Sequence, residues 1–148
     1  MRAPFQILVL PFRRIQNGFE FAAFLRSDAG YWQGIAGGGE GGESPENAAK
    51  REAKEEAGIP PTLHYLRLQT TTSVPVHHFK ERTHWPTNLF VIPEFTFAVD
   101  CTGIDLKISE EHTEIFWGTY VEVEARLKWD SNRTALWELQ QWLATQAP

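Results

Sequence analysis

Cysteine and long apolar runs are what this chain has least of. Cys101 is the single cysteine in 148 residues, so no internal disulfide can form, and no Cys/His spacing suggests a zinc site. No apolar stretch approaches the roughly 20 residues that cross a bilayer. Phe5-Gln6-Ile7-Leu8-Val9-Leu10 is short and stops at Pro11. It lacks the basic start and small-residue cleavage site of a secretory leader, so a cytoplasmic location is the expectation. Positive charge is in deficit too: 14 Lys and Arg face 19 Asp and Glu, a formal charge of −5. Binders of a phosphate backbone usually carry a basic excess, so neither nucleic acid nor a membrane is the expected partner. A small phosphorylated molecule stays compatible, because a bound cation can supply the missing charge locally.

What is present reads as one globular domain over residues 1–148, with 42% hydrophobic residues and no internal repeat or linker. Residues 5–13 and 19–25 have strand character and flank Gln16-Asn17-Gly18, a hairpin signal. Residues 31–35 lead into a glycine-rich stretch, 34–42, which holds six of the 11 glycines and reads as a loop. Residues 63–72, 88–99 (interrupted by Pro93) and 114–120 are further strand segments. Helical patterns cover 45–57 and 132–143, the latter with Leu136, Leu139 and Trp142 on one face. Strands with a helix in the middle and another at the end predict a mixed sheet covered by helices.

The chemistry concentrates between Gly37 and Ile59. Ser44 is a good N-cap, Pro45 suits the first helical position, and Gly58 followed by Pro60 and Pro61 ends the helix. At 100° per residue Glu52, Glu55 and Glu56 share one arc, and Ala49, Ala53 and Ala57 form an adjacent stripe that lets the helix lie close to a sheet. Three Glu on a helix are ordinarily a solvated face. Like charges three and four residues apart nevertheless destabilise a helix unless a cation compensates them. Carboxylate clusters suit Mg²⁺ or Mn²⁺, hard cations that also hold substrate phosphates.

This segment resembles the Nudix box, G-x5-E-x7-R-E-U-x-E-E-x-G-U with U apolar. Gly37, Glu43, Arg51, Glu52, Ala53, Glu55, Glu56, Gly58 and Ile59 fill every specified position. Seven of these are fixed identities, so chance gives such a match with odds on the order of 10⁻⁸ per starting position. The resemblance implies an α/β fold, the Nudix α/β/α sandwich with a mixed β-sheet. It also implies an enzyme that cleaves a phosphorus anhydride with Mg²⁺ or Mn²⁺. In that reading Glu52, Glu55 and Glu56 are metal ligands, and Arg51 orients them through charge-assisted hydrogen bonds.

Outside the box the chain is similar to a subgroup of dATP and dihydroneopterin-triphosphate pyrophosphohydrolases. Tyr31-Trp32-Gln33, the Trp129-Asp130-Ser131-Asn132-Arg133 run and Glu111-His112 before Trp117 carry that likeness. It implies that Glu111, ahead of Glu110, is a further metal ligand or general base. It also implies substrate contacts at Arg2, Arg26 and the backbone of Ala36. The expected function is cleavage of dihydroneopterin triphosphate or a (deoxy)nucleoside triphosphate to a monophosphate and pyrophosphate. The alternatives are a hydrolase of dinucleoside polyphosphates or nucleotide sugars, and a non-catalytic nucleotide-sensing module. Phe79 and Trp85 lie in a polar stretch that could cover a base or pterin ring. The adjacent His77 and His78, read as strand residues, point apart and do not suggest a metal. Trp32, Trp117, Trp137 and Trp142 sit in apolar patterns and are expected in the core.

Overall fold

The computed structural model describes residues 1–146; the last two residues of the expected domain lie outside the described residues. The chain runs β1 (Arg2–Ile15), β2 (Gly18–Arg26), β3 (Trp32–Gln33), β4 (Ile35–Glu40), α1 (Pro45–Ala57), β5 (Tyr65–Pro75), β6 (Val91–Asp100), β7 (His112–Gly118), α2 (Tyr120–Arg126) and α3 (Asp130–Ala144). Two short 3-10 turns, Val76–His78 and Lys80–His84, lie between β5 and β6. The seven strands form one mixed sheet in which β1 and β6 run parallel and the remaining pairings are antiparallel. Helix α1 covers one face and α2 with α3 cover the other, so the architecture is an α/β/α sandwich.

β1 organises the sheet. Its residues from Ile7 to Phe12 are all buried, as expected of a strand covered on both faces. Ile7 and Val9 point toward α1, whereas Leu8, Leu10 and Phe12 point toward α3. β6 lies along one edge of β1 from Gln6 to Phe12, while the other edge changes partner: Arg2–Val9 pairs with β4, and Phe12–Ile15 with β2. Pro11 falls at that change of partner. β4 pairs with β1 alone, so its outer edge is left open.

The glycine-rich stretch is therefore not the loop that its composition suggests. Residues Ile35–Glu40 form a ladder with β1, because backbone hydrogen bonding needs no side chain. The missing side chains instead leave room for neighbours. A Cβ on Gly37 would stand 2.6 Å from Glu52 Oε2, and one on Gly38 would stand 2.6 Å from a guanidinium nitrogen of Arg2. Consecutive strand residues face opposite sides, so Gly37 opens onto α1 and Gly38 onto the α3 side.

β6 continues through Pro93 without interruption. Pro93 is paired with Ser73 of β5, and the parallel pairing with β1 starts only at Glu94. The β5 register shift between Arg67 and Thr71 is met by Glu138 of α3, whose carboxylate accepts from Gln69 N at 2.6 Å and Thr70 N at 2.8 Å. α2 was not expected, although its capping box was there to read: Thr119 Oγ1 accepts from Glu122 N, and Glu122 accepts from Thr119 N. α3 buries Ala135, Leu136, Leu139 and Leu143, while Trp137 and Trp142 face solvent. Trp142 thus leaves the expected apolar face, and its indole N–H donates to Glu138. His77 and His78 sit on a 3-10 turn rather than a strand, with ring centroids 4.2 Å apart.

α1 begins and ends where its caps require. Ser44 accepts from Asn47 N, and Gly58 terminates the helix at φ 68°, a left-handed conformation that costs glycine little. Ala48, Ala49, Ala53 and Ala57 are completely buried against the sheet. Their small size sets how closely the helix approaches. Ala53→Leu is expected to cost about 1–3 kcal/mol by overpacking. The same leucine at exposed Lys54 should stay within about 0.5 kcal/mol of wild type. Urea unfolding of both variants distinguishes these, and equal effects would contradict the close contact.

Candidate active site

The site lies at the open edge of β4, where α1, the start of β1, and the loops before β3 and β7 converge. Arg51 is its hub. Its guanidinium donates to Glu43 at 2.8 and 3.0 Å, to Glu52 at 2.8 Å and to the Gly38 carbonyl at 2.9 Å, with Glu55 at 3.4 Å. Glu43 in turn accepts from Glu40 N at 2.8 Å. One side chain thereby ties the helix to β4 and to the turn between them. The hydrogen bonds that Arg51 donates to Glu43 raise the Arg51 pKa and hold the Glu43 carboxyl below its ordinary value.

The three box glutamates differ in environment. Glu55 is exposed, the Glu52 side chain retains 14% exposure, and Glu56 is buried. Burial raises the Glu52 pKa, opposed by Arg51 and reinforced by the charges of Glu55 and Glu111. Burial pushes Glu56 up to about 10, and contact with Glu111 adds to the rise. Glu111 moves the other way: a hydrogen bond from Glu56 holds its carboxyl low. Two neighbouring carboxyls resist ionising together without a cation, and burial makes Glu56 the one that holds its proton more tightly. Glu56 Oε2 is buried without a hydrogen-bond donor.

The loop that carries Glu111 is fixed from two sides. Lys107 N donates to Ala57 O at 2.9 Å and Ser109 N to Glu56 O at 3.0 Å, satisfying carbonyls that the helix end leaves free. From the other side Ser27 N and Oγ donate to the Glu111 carbonyl. Glu111 is thus brought against Glu56, although both it and Glu110 remain exposed. Arg26 pairs with Asp28 at 2.7 Å and lies near enough to the Glu56 and Glu111 carboxyls to influence both.

Arg2 lies on the far side of β4. It bonds Gln6, stacks on Phe79 at 4.8 Å, faces Glu81 at 3.8 Å and feels the charge of Glu52. Trp85, buried, donates its indole N–H to the Arg2 carbonyl at 3.1 Å. The polar stretch from His77 to Trp85 therefore folds onto Arg2. Ala36 is on β4, paired with Leu8 and half-buried on the α3 side.

Glu52, Glu56, Glu111, Arg51 and Arg26 are thus gathered around α1, with Glu55 at the exposed margin and Arg2 across β4. Among the described residues no three His, Cys, Asp or Glu side chains meet closely enough to hold an ion as they stand; Glu52 and Glu55 each turn an oxygen to Arg51. The donor set nevertheless suits a hard divalent cation. It is all carboxylate, Glu56 and Glu111 repel each other when both are ionised, and the buried Glu56 Oε2 lacks a hydrogen-bond partner. Glu94, which the sequence did not single out, is buried on the α3 side with Gln33 and Asn132 of the two runs that carry the subgroup likeness. A lone Glu alternating with Ile92, Thr96 and Ala98 was the available signal for Glu94.

A NUDIX domain model matches residues 13–138, and the chain belongs to the NUDIX family. It is a Nudix hydrolase, an enzyme acting on phosphorus anhydrides of small phosphorylated molecules, in a family that generally uses divalent metals. A NUDIX hydrolase structure from Listeria monocytogenes is 37% identical, with 97% of each chain covered and a TM-score of 0.86. The E. coli dihydroneopterin triphosphate pyrophosphohydrolase is 25% identical over 97% of each chain, with a TM-score of 0.75. A C. elegans Ap4A hydrolase, 17% identical over 97% of this chain and 99% of its own, shares the fold with a TM-score of 0.75. No curated protein sequence matches the chain significantly. No helix among the described residues is long and apolar enough to cross a membrane.

The raised Glu56 pKa makes stability depend on pH. Glu56 is protonated more readily when folded than when unfolded, so its contribution is complete below about pH 4.5 and is lost as pH rises toward about 10. Without metal, the melting temperature should fall between roughly pH 5 and 9 more steeply for wild type than for Glu56→Gln. Saturating divalent cation should flatten the wild-type profile. Parallel metal-free profiles for the two proteins, followed by calorimetry, would show that Glu56 is ordinarily solvated.

Proposed function

We propose that the enzyme hydrolyses a nucleoside-triphosphate-like substrate, dihydroneopterin triphosphate or a (deoxy)nucleoside triphosphate, to a monophosphate and pyrophosphate. The observation that carries this reading is the convergence of Glu52, Glu56 and Glu111 beside Arg51 at the open edge of β4. The likeness to the E. coli pyrophosphohydrolase over nearly the whole chain supports the substrate class. Neither a dinucleoside polyphosphate nor a nucleotide sugar has an observation in its favour. A purely sensing module has no need of the complete glutamate set.

Glu52, Glu55, Glu56 and Glu111 would hold Mg²⁺ or Mn²⁺. When bound, the cation supplies positive charge to the diphosphate and makes water a better nucleophile at neutral pH. Arg51 keeps Glu52 aimed and joins its position to that of β4. Glu56 gives up its proton as the cation binds, so affinity for the cation rises with pH. Arg26 and Arg2 flank the carboxylates on either side and neutralise phosphate oxygens. One water adds across a bridging P–O bond, leaving the monophosphate and pyrophosphate with the released proton passed to solvent.

Product analysis tests the reaction. With Mg²⁺ a triphosphate should give pyrophosphate as the primary product, with ¹⁸O from water in only one of the two products. Orthophosphate as the first product would defeat the proposal. Glu111 has a separate test. Glu111→Ala should lower kcat by at least about 10²-fold, as for loss of a group that stabilises transition-state charge. Glu110→Ala should stay within a few fold. Equal, small effects would remove Glu111 from the machinery.

A further inference from the structure

The buried carboxylate of Glu94 has no place in the metal chemistry, yet it lies on a row that leads to the catalytic edge. Gly38 of β4, Gln6 of β1, Glu94 of β6 and Thr72 of β5 are successive register partners, so they occupy one level of the sheet. All four face the α3 side. Glu94 is only 7% exposed, and its Oε1 has no hydrogen-bond partner. An ionised group left so is costly unless something donates to it. Burial raises the Glu94 pKa, and a hydrogen bond from the Ser131 hydroxyl of α3 opposes that rise.

The surroundings are built rather than accidental. Asn132 Oδ1 accepts from Gly34 N at 2.8 Å, its Nδ2 donates to Ser131 Oγ at 3.2 Å, and Trp129 donates to Gln33 at 3.2 Å. These bonds fasten the start of α3 to the β3–β4 junction and fix Ser131 beside Glu94. Gln6, Gly38 and Thr72 are half-buried, and the Arg2 side chain lies between the β4 edge and Glu94, so a ring reaching Glu94 would have to displace it. Strands lie about 4.8 Å apart, which puts Glu94 roughly 10 Å across the sheet from β4. That separation is comparable to the reach from a heterocycle, through its sugar or side chain, to the phosphates. Arg2 lies over Gly38 between the two ends.

From this row we propose that Glu94 reads the ring of the substrate, accepting two parallel N–H donors from a 2-amino-4-oxo-pyrimidine edge. That edge is shared by guanine and dihydropterin. Adenine offers a donor beside an acceptor, and cytosine likewise, so neither matches two carboxylate oxygens. The assignment narrows the proposed substrate class and rests on that reading for what is attached to the ring, but ring recognition can be measured without turnover.

Calorimetric binding of guanosine, adenosine and cytidine monophosphates and of dihydroneopterin, without metal, tests it. Wild type should bind guanosine monophosphate or dihydroneopterin at least about tenfold more tightly than the other two. Glu94→Gln presents one acceptor and one donor, and should lower the guanine-to-adenine ratio by about 10- to 100-fold. Glu94→Ala should abolish the preference, and either variant that folds suffices for the comparison. A preference for only one of the two matching rings identifies which the site takes. No preference in wild type, or a preference that survives in the folded variants, overturns the proposal. Ring preference without triphosphate hydrolysis would instead sink the proposed reaction and leave the role of Glu94 standing.

Discussion

Arg51 stands where three parts of the chain have to agree. Its guanidinium spans Glu43 in the turn, the Gly38 carbonyl on β4 and Glu52 on its own helix. Lysine has one charged nitrogen and could not satisfy that geometry, since the contacts lie in one plane and point in different directions. Every other feature of the site is measured from this fork. Glu52 is held against Gly37, and the exit of α1 then presents Glu56 to the loop carrying Glu111.

The second constraint is electrostatic. The fold places the buried Glu56 carboxyl against the exposed Glu111, an arrangement unfavourable until a proton or a cation joins them. The alanine face of α1 and the bonds from Lys107 and Ser109 to the helix end hold the pair together regardless. Stability is thus spent near the chemistry and recovered in the core, the usual trade at a functional site.

Much of this was legible in the sequence because its signals are local. Ser44, Pro45 and Gly58 bound α1 as their capping chemistry predicts, and the alanine stripe emerged as the buried face. The fold class followed from the box and the order of strands and helices. Side chains alone misread the stretch at Gly34–Gly42, since a strand made of glycine has none of the alternation that marks strands. Trp142 was misplaced because periodicity does not tell which edge of an apolar arc meets the sheet. Which groups lie beside Arg2, and that Glu94 is buried with Oε1 unpartnered, depend on pairings between residues far apart in sequence. No spacing rule encodes them.

β4 has a further consequence. Glycines at three of its six positions give it almost no conformational preference of its own and little apolar area to bury. Its place in the ladder is instead dictated by what leans on it: Phe5 over Gly39, Arg2 over Gly38 and Glu52 over Gly37. Those contacts exist only once β1 has paired and α1 has docked. The strand is therefore an assembly product of its neighbours. Its amides belong among the last to gain protection from hydrogen exchange during folding and the first to lose it on local opening. The edge that must receive the substrate is also the part of the sheet free to breathe while the central strands stay closed.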